Sequence, residues 1–429
     1  MAFFAVGCGG SWAAGYLRGR LGTDLIDDRR FNPGYAPASW TGLTDHLRAL
    51  GATDSELLAA GLASTSLTGR LIDRFRDRLI LPIQAGDELV AFIGRRHPDA
   101  PDAGPKYLST SDTDLFSKGA QLFGMTEGAR ELTAGATPVL VEGPLDAIAI
   151  TLAAGGTAVG VAPLGTALTD RQADQLRRYL GAGNPGVIVA TDADAAGQRA
   201  AVRAYWQLTC RGGNPRHLIM ADGQDPAGLL QAAGPEALRD ALATAPTLAR
   251  TLIDARIAQY TDRMQHVEGP LLAVQSAAEV IGALAPEHWL EHITYLNTLV
   301  QISPGQSHLA VLDAGHAWTH DPNGLTRKHL AEPAVPTAHR QGGQRPRRTS
   351  HVPTGLAAPD TQAAGGPVDD APGPVATAPD GADPGSSKRP RRLSRSPEPS
   401  PPDSPAGDQL IVEQWAADVW VDVGLALSV

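Results

Sequence analysis

From Pro138 onward the chain alternates short apolar runs with segments of helical composition, and this alternation limits the fold more than any other feature of its 429 residues. The runs 139–141, 158–161, 187–190 and 217–220 read as strands, and the segments 145–153, 169–179, 195–208 and 226–232 read as helices. Strands joined through helices need right-handed crossovers, which give a parallel sheet with helices on both faces. Two acidic clusters, Glu142-Gly-Pro-Leu-Asp146 and Asp192-Ala-Asp194, begin where two of these strands stop. Open α/β sheets place their ligand sites there, outside the carboxyl ends of the strands.

A carboxylate at the start of a helix is favoured simply as a cap, so either cluster alone has a structural explanation. Both together, each after a strand and about fifty residues apart, point to a hard divalent cation held by oxygen ligands. Two such ions can clamp the attacking and leaving oxygens of a phosphoryl transfer. Gly143 lets the backbone turn tightly beside Glu142, and Pro144 reads as the first residue of the following helix.

Ahead of this region, residues 11–64 read as short helices: 11–19, then a turn at 31–37, 40–50, and 54–60 with Asp54 as its N-cap. The runs 79–83 and 89–93 flank a Gly86-containing turn and read as a hairpin. Basic residues bracket it: Arg74, Arg76 and Arg78 before, Arg95, Arg96, Lys106 and Lys118 after. These form either a solvated face or a track for phosphates beside the acidic clusters.

The net charge of -10 argues against a uniformly basic coat but leaves room for a local basic groove. Cys8 and Cys210 are the only cysteines, too few for a disulfide framework or a cysteine-rich zinc module, and a reducing cytoplasm is expected. No run is long enough for a membrane span.

The two clusters, Val141-Glu-Gly-Pro-Leu-Asp146 and Thr191-Asp-Ala-Asp-Ala-Ala-Gly197, resemble the Toprim domain of primases, topoisomerases and small repair proteins. Further stretches resemble, in order, the polymerase core of bacterial DnaG-type primases. They are Leu71 to Ile83, Gly104-Pro-Lys-Tyr-Leu-Ser109, Leu115-Phe-Ser-Lys-Gly119, Leu122-Phe-Gly124, Pro163-Leu-Gly-Thr-Ala-Leu168 and Asp222-Gly-Gln-Asp-Pro226.

The resemblance spans residues 12–240 and implies a Toprim-type parallel sheet with flanking helices. A mixed α+β subdomain precedes it, and helices and a disordered tail follow. The divisions expected are an N-terminal subdomain 11–125, a Toprim domain 126–235, a helical subdomain 236–325, a disordered linker 326–408 and an amphipathic segment 409–429. The resemblance makes Glu142, Asp192 and Asp194 the catalytic, metal-binding acids, with Asp225 a further metal contributor and Asp146 and Gly143 in support. Arg74, Arg76, Arg78, Arg95, Lys106 and Lys118 become the nucleic-acid surface. The implied activity is Mg²⁺- or Mn²⁺-dependent primer synthesis from ribonucleoside triphosphates on a single-stranded DNA template.

Departures from the family keep alternatives open. Full-length relatives carry an N-terminal zinc-binding module, and this chain offers no zinc site, so a truncated primase or one relying on a separate zinc-binding protein is expected. Ala227 stands where the family often has a second Asp. A replicative helicase is a further candidate partner, although the family's helicase-binding domain is not recognisable in 245–325. The competing readings are a catalytically idle DNA-binding adaptor of a plasmid or phage replicon, and another Toprim enzyme such as a nuclease or topoisomerase. Gly197-Gln198 weighs against a topoisomerase, where Glu usually follows that Gly. His288-Trp-Leu-Glu-His292 matches a zinc-protease pattern but is read as a surface helix.

Overall fold

The computed structural model describes residues 1–332 except 101–103, 166, 182 and 222. The expected linker beyond residue 332 and the terminal segment lie outside the described residues.

Two short helices, α1 (Ala2–Val6) and α2 (Trp12–Leu21), lead into β1 (Gly34–Ala36). There follow α3 (Gly42–Ala49), α4 (Asp54–Ala59) and the small antiparallel pair β2 (Ala63–Thr65) and β3 (Leu71–Asp73). The hairpin is β4 (Arg78–Ala85) and β5 (Glu88–Arg96), with Gly86 at φ 62 in its turn, and β6 (Tyr107–Ser109) completes an antiparallel sheet in the order β1-β4-β5-β6.

Side chains alternate across a strand, and β4 uses both faces. Leu79, Leu81 and Ile83 pack with Ala13, Leu17 and Leu21 of α2, while Ile80 joins Phe4, Phe75 and Phe92 in a second core. Asp77, held at φ 47 just before β4, accepts hydrogen bonds from Trp12 Nε1 and the Tyr35 hydroxyl, both at 2.7 Å. That carboxylate ties α2 and β1 to the hairpin.

Two sequence expectations change in this region. The segment 31–37 contains β1 rather than only a turn, because pairing with β4 supplies the hydrogen bonds that three residues could not hold alone. Thr53, not Asp54, caps α4: its hydroxyl accepts from Glu56 N–H while the Glu56 carboxylate accepts from Thr53 N–H, a reciprocal box.

The second sheet comprises β7 (Leu122–Phe123), β8 (Thr137–Val141), β9 (Ala158–Pro163), β10 (Ile188–Thr191) and β11 (Arg216–Ile219), in the order β11-β10-β8-β9-β7. Its connecting helices are α5 (Ala129–Thr133), α6 (Pro144–Ala153), α7 (Asp170–Leu176) and α8 (Ala195–Thr209). Four strands are parallel, as the alternation requires, but the edge strand β7 runs antiparallel to β9. The sheet is therefore mixed. Gly160 of β9 lets α6 approach closely: a Cβ there would lie 2.2 Å from the Ala147 carbonyl oxygen.

The helix expected at 226–232 continues as α9 (Pro226–Ala243), passing a kink where Gly234 takes φ 80 ahead of Pro235. The last helices are α10 (Leu248–Ala258), α11 (Gly269–Gly282), α12 (Trp289–Leu299), α13 (Pro304–His320) and α14 (Pro322–Ala331). α14 runs into the expected linker because Asp321 caps it and its inner face is anchored, with the His329 ring stacked 3.8 Å from that of Trp206. α12 is not simply a surface helix. His292 is only 1% exposed and packs inward with Trp289, Ile293 and Leu296. No helix among the described residues is long and apolar enough to cross a membrane.

Candidate active site

β8 and β10 lie side by side and in register, with Val141 opposite Ala190. Glu142 and Asp192 therefore leave neighbouring parallel strands at the same end. The Asp192 N–H donates to Glu142 Oε1 at 3.0 Å, so the first acid is oriented by the backbone of the second. Asp194 caps α8: its Oδ1 alone accepts from the N–H groups of Ala196 and Gly197, each at 2.8 Å. Gly197 is required by space, since a Cβ would fall 2.0 Å from the Asp192 carbonyl oxygen.

Gly143 has an ordinary extended φ of -137, so the tight turn expected beside Glu142 is not what selects glycine there. A Cβ would come 3.3 Å from Asp146 Oδ2 and 3.5 Å from the Tyr107 hydroxyl, both side-chain ends, so a small shift of the Asp146 carboxylate would admit a methyl group. Pro144 stands at the start of α6 as the sequence suggested. Asp146, in the first turn of that helix, accepts from Ala227 N–H at 3.3 Å. Asp225 caps α9 through Oδ1, bonded to Gly228 N–H at 2.7 Å, and its Oδ2 pairs with Arg20 of α2.

Burial and neighbouring charge raise three of these carboxyls. Burial drives Asp146 up to about 7, and the negative charge of Asp225 adds to the shift. Asp192 is raised first by burial and then by Asp225 and Asp194, and Glu142 is raised by burial and by both Asp192 and Asp194. Lys106 and Arg20 offset only part of this repulsion. An all-oxygen donor set whose negative charge is only partly offset suits a hard divalent cation. Among the described residues, however, no group of three or more His, Cys, Asp or Glu side chains is already drawn together as ligands.

The six basic residues separate by role. Arg78 is buried and donates to the carbonyls of Gly94 and Pro105, and Arg74 donates twice to the Ser109 carbonyl, so both brace the antiparallel sheet. The Arg76 guanidinium lies 4.4 Å from the Trp40 ring centre. Arg95 donates to the Tyr16 hydroxyl and lies over the Tyr107 ring at 5.2 Å. Lys106 is exposed, and its positive charge favours the ionised forms of Glu142 and Asp192. Lys118 stands in a turn fixed by Asp112 and Gln172 through its backbone.

Sequence reasoning missed Arg20 and Tyr107. Nothing local distinguishes Arg20 from Arg18 on the same helix, and Tyr107 lies within the family-like stretch 104–109 without a feature that singles it out.

A mixed sheet with acids at the ends of adjacent parallel strands defines a Toprim protein, a class of domain that typically binds divalent metal. The chain matches the family description "DNA primase catalytic core, N-terminal domain" over residues 9–129 and "Toprim-like" over 139–230. It is 35% identical over 265 residues to the DNA primase of Streptomyces coelicolor, covering 61% of this chain and 40% of that one. With the DNA primase of Deinococcus radiodurans it shares 32% over 345 residues, 75% of this chain and 58% of that one. The chain thus spans about half the length of these relatives.

The RNA polymerase domain of Mycobacterium tuberculosis primase DnaG, solved in complex with double-stranded DNA, superimposes with a TM-score of 0.58 at 32% identity, covering 70% of this chain and 94% of that one. A DnaG primase catalytic domain bound to single-stranded DNA gives 0.59 at 27% identity, covering 71% and 95%. The chain belongs to the DnaG-type primase catalytic-core family.

Proposed function

We propose that the chain synthesises short RNA primers on single-stranded DNA by divalent-metal-dependent nucleotidyl transfer. The observation that carries this reading is the bond between Glu142 and the Asp192 backbone at the ends of two adjacent parallel strands, within the field of the Lys106 charge. Glu142, Asp192 and Asp194 would hold Mg²⁺ or Mn²⁺, with Asp225 contributing and Asp146 and Gly143 shaping the surroundings. The metal supplies neutralisation of the charge that develops on the phosphoryl oxygens and the leaving group.

The 3' hydroxyl of the growing primer attacks the α-phosphorus of the incoming ribonucleoside triphosphate. One phosphodiester bond forms, the α–β phosphoanhydride breaks, and pyrophosphate leaves with the electron pair. Glu142, oriented by the Asp192 N–H, presents its carboxylate at the shared strand end. Lys106 lies where the triphosphate or template phosphates approach, and Arg95, Arg76 and Lys118 extend the basic side. Arg74 and Arg78 contribute by holding the sheet that carries Lys106.

The solved relatives bound to DNA support a nucleic-acid template. The cytoplasm is the proposed place of action, with a replicative helicase or a zinc-binding protein as protein partners.

The test is primer synthesis by the purified chain on single-stranded DNA with Mg²⁺ or Mn²⁺, alone and with an added primase zinc module. Labelled primers that vanish in Asp192→Asn support the proposal, and no synthesis under any of these conditions removes it. An idle adaptor is the second reading, suggested by the engagement of both Asp225 oxygens in structural bonds. An adaptor would keep its in-cell function when Asp192 and Asp194 are both replaced by Asn.

A further inference from the structure

His316 and His320 of α13 are both exposed, with ring centres 5.3 Å apart and planes inclined by 64°. Residues at i and i+4 are neighbours on one face of a helix. Neither ring has a hydrogen bond or an ion pair within the described residues, so the nitrogens of both are open to a ligand. The His288-Trp-Leu-Glu-His292 motif has the same spacing but a different setting. His288 lies in the short turn before α12, and His292 is buried.

α13 carries the pair on a fixed support. The helix buries Ser307, Val311 and Gly315, and Gly315 lies so close under Trp289 that a Cβ would fall 2.3 Å from that ring. Its last turn is closed by the Asp321 N–H, which donates to the Ala317 carbonyl, so His320 still stands on regular helix. The spacing of the two histidines is therefore held by packed backbone, while their exposed rings are free to turn. The helix contains no Lys or Arg to repel a cation. Asp313, one turn before His316 on the same face, is exposed and has no ion pair within the described residues.

Imidazole suits zinc, copper and nickel, and two histidines at i and i+4 on a helix face are a spacing at which zinc is gripped. An ion bonded to one nitrogen of each ring at about 2.0–2.1 Å stands about 3.2 Å from each ring centre, and at that reach centres 5.3 Å apart subtend about 110°, close to the tetrahedral angle of zinc sites. We infer that His316 and His320 chelate one divalent ion of the zinc class. Two protein ligands leave half of a tetrahedral shell to water or to a ligand atom of another molecule. Asp313 adds negative charge nearby without completing a third ligand. The low cysteine count argues against a thiolate zinc module but not against an imidazole pair. Mg²⁺ prefers oxygen ligands, so the two sites differ in the metal they select, and the inference uses none of the residues assigned to primer synthesis.

The test is isothermal titration of the untagged full chain with zinc chloride, in the presence and absence of Mg²⁺. The wild type should bind zinc at this site, and Mg²⁺ should not displace it. His316→Ala and His320→Ala should each weaken that binding by at least about tenfold, since even losing an outer partner of a metal ligand costs that much. Both change exposed side chains, so both should melt with the wild type and match it in primer synthesis with Mg²⁺. The combination of Ala317→His with His320→Ala keeps the number of histidines but places two at i and i+1, which do not face each other, and it should bind zinc no better than His320→Ala. Absence of zinc binding by the wild type would overturn the inference. So would binding that the spacing variant retains in full, which would show scattered adventitious sites only. Binding lost in Asp192→Asn but kept in His320→Ala would overturn it as well, because the ion would then sit at the acids.

Discussion

Arg20 and Asp225 are paired although 205 residues separate them in the chain. Both side chains are about three-quarters buried, and Asp225 simultaneously caps α9, so the pair fastens the entry helix α2 to the element that closes the acidic site. Arg20→Ala should lower stability by about 1–2 kcal/mol, a charge-assisted bond discounted for its partial exposure. Urea unfolding measures this. A change within error would mean that the pair is ornamental to the fold.

Replacing Asp192 should stabilise the metal-free chain while abolishing synthesis. Burial and the charges of Asp225 and Asp194 already disfavour its ionised form, so Asp192→Asn relieves repulsion. The variant should melt at a higher temperature than wild type in EDTA, lose the rise in melting temperature that Mg²⁺ gives the wild type, and lose at least about a hundredfold in primer synthesis. Equal Mg²⁺-induced shifts in the two proteins would dissociate Asp192 from the metal.

Glu127 sets a pH dependence away from the acidic site. Burial drives its carboxyl from the ordinary 4.5 up to about 7, and the bond from Gly124 N–H relieves this only in part. The folded chain keeps a proton that the unfolded chain releases, so this contribution to stability is complete below about pH 4.5 and is lost as pH rises through about 7. Glu127→Gln has no proton to lose. Its stability relative to wild type should grow by about 2–3 kcal/mol between about pH 5 and about pH 8. Parallel denaturation curves for the two proteins at both pH values would contradict the assignment.

Gly160→Ala should be among the most damaging single-methyl additions. The new Cβ would overlap the backbone of Ala147, which sits in the middle of α6 and has no flexible end to move aside. A loss of about 3 kcal/mol or more is expected, at the upper end of overpacking costs. Gly135→Ala is a control for strain without crowding: it meets nothing within 4 Å but has φ 97. Thermal melts of both variants separate the two effects.

The parallel strands and their order of acids were legible because each strand is buried, continuous and followed by a helix with a clear period. Glu142 and Asp192 each follow directly on the last strand residue, Val141 and Thr191, so the end of each apolar run marks them. Other features depended on partners distant in sequence. β1 exists only through pairing with β4, and β7 reverses direction because it joins the sheet from outside the alternation. Arg78 reads as a surface cation in sequence, yet it is buried because the carbonyls of Gly94 and Pro105 happen to converge on it. No window along the chain contains that information.

α8 carries Asp194 at its first cap and buries Tyr205 and Trp206 near its far end. There the Tyr205 hydroxyl donates to the Val280 carbonyl of α11, and Trp206 stacks on His329 of α14. Fifteen residues of helix make a rod about 22 Å long, clasped at one end by the C-terminal helices and exposed at the other beside Asp192. Near its start α8 lies so close to the Asp192 backbone that only glycine fits at 197. Asp194 and the packed pair Tyr205 and Trp206 thus ride on one helix, so the element that presents an acid at one end is anchored by the last helices at the other.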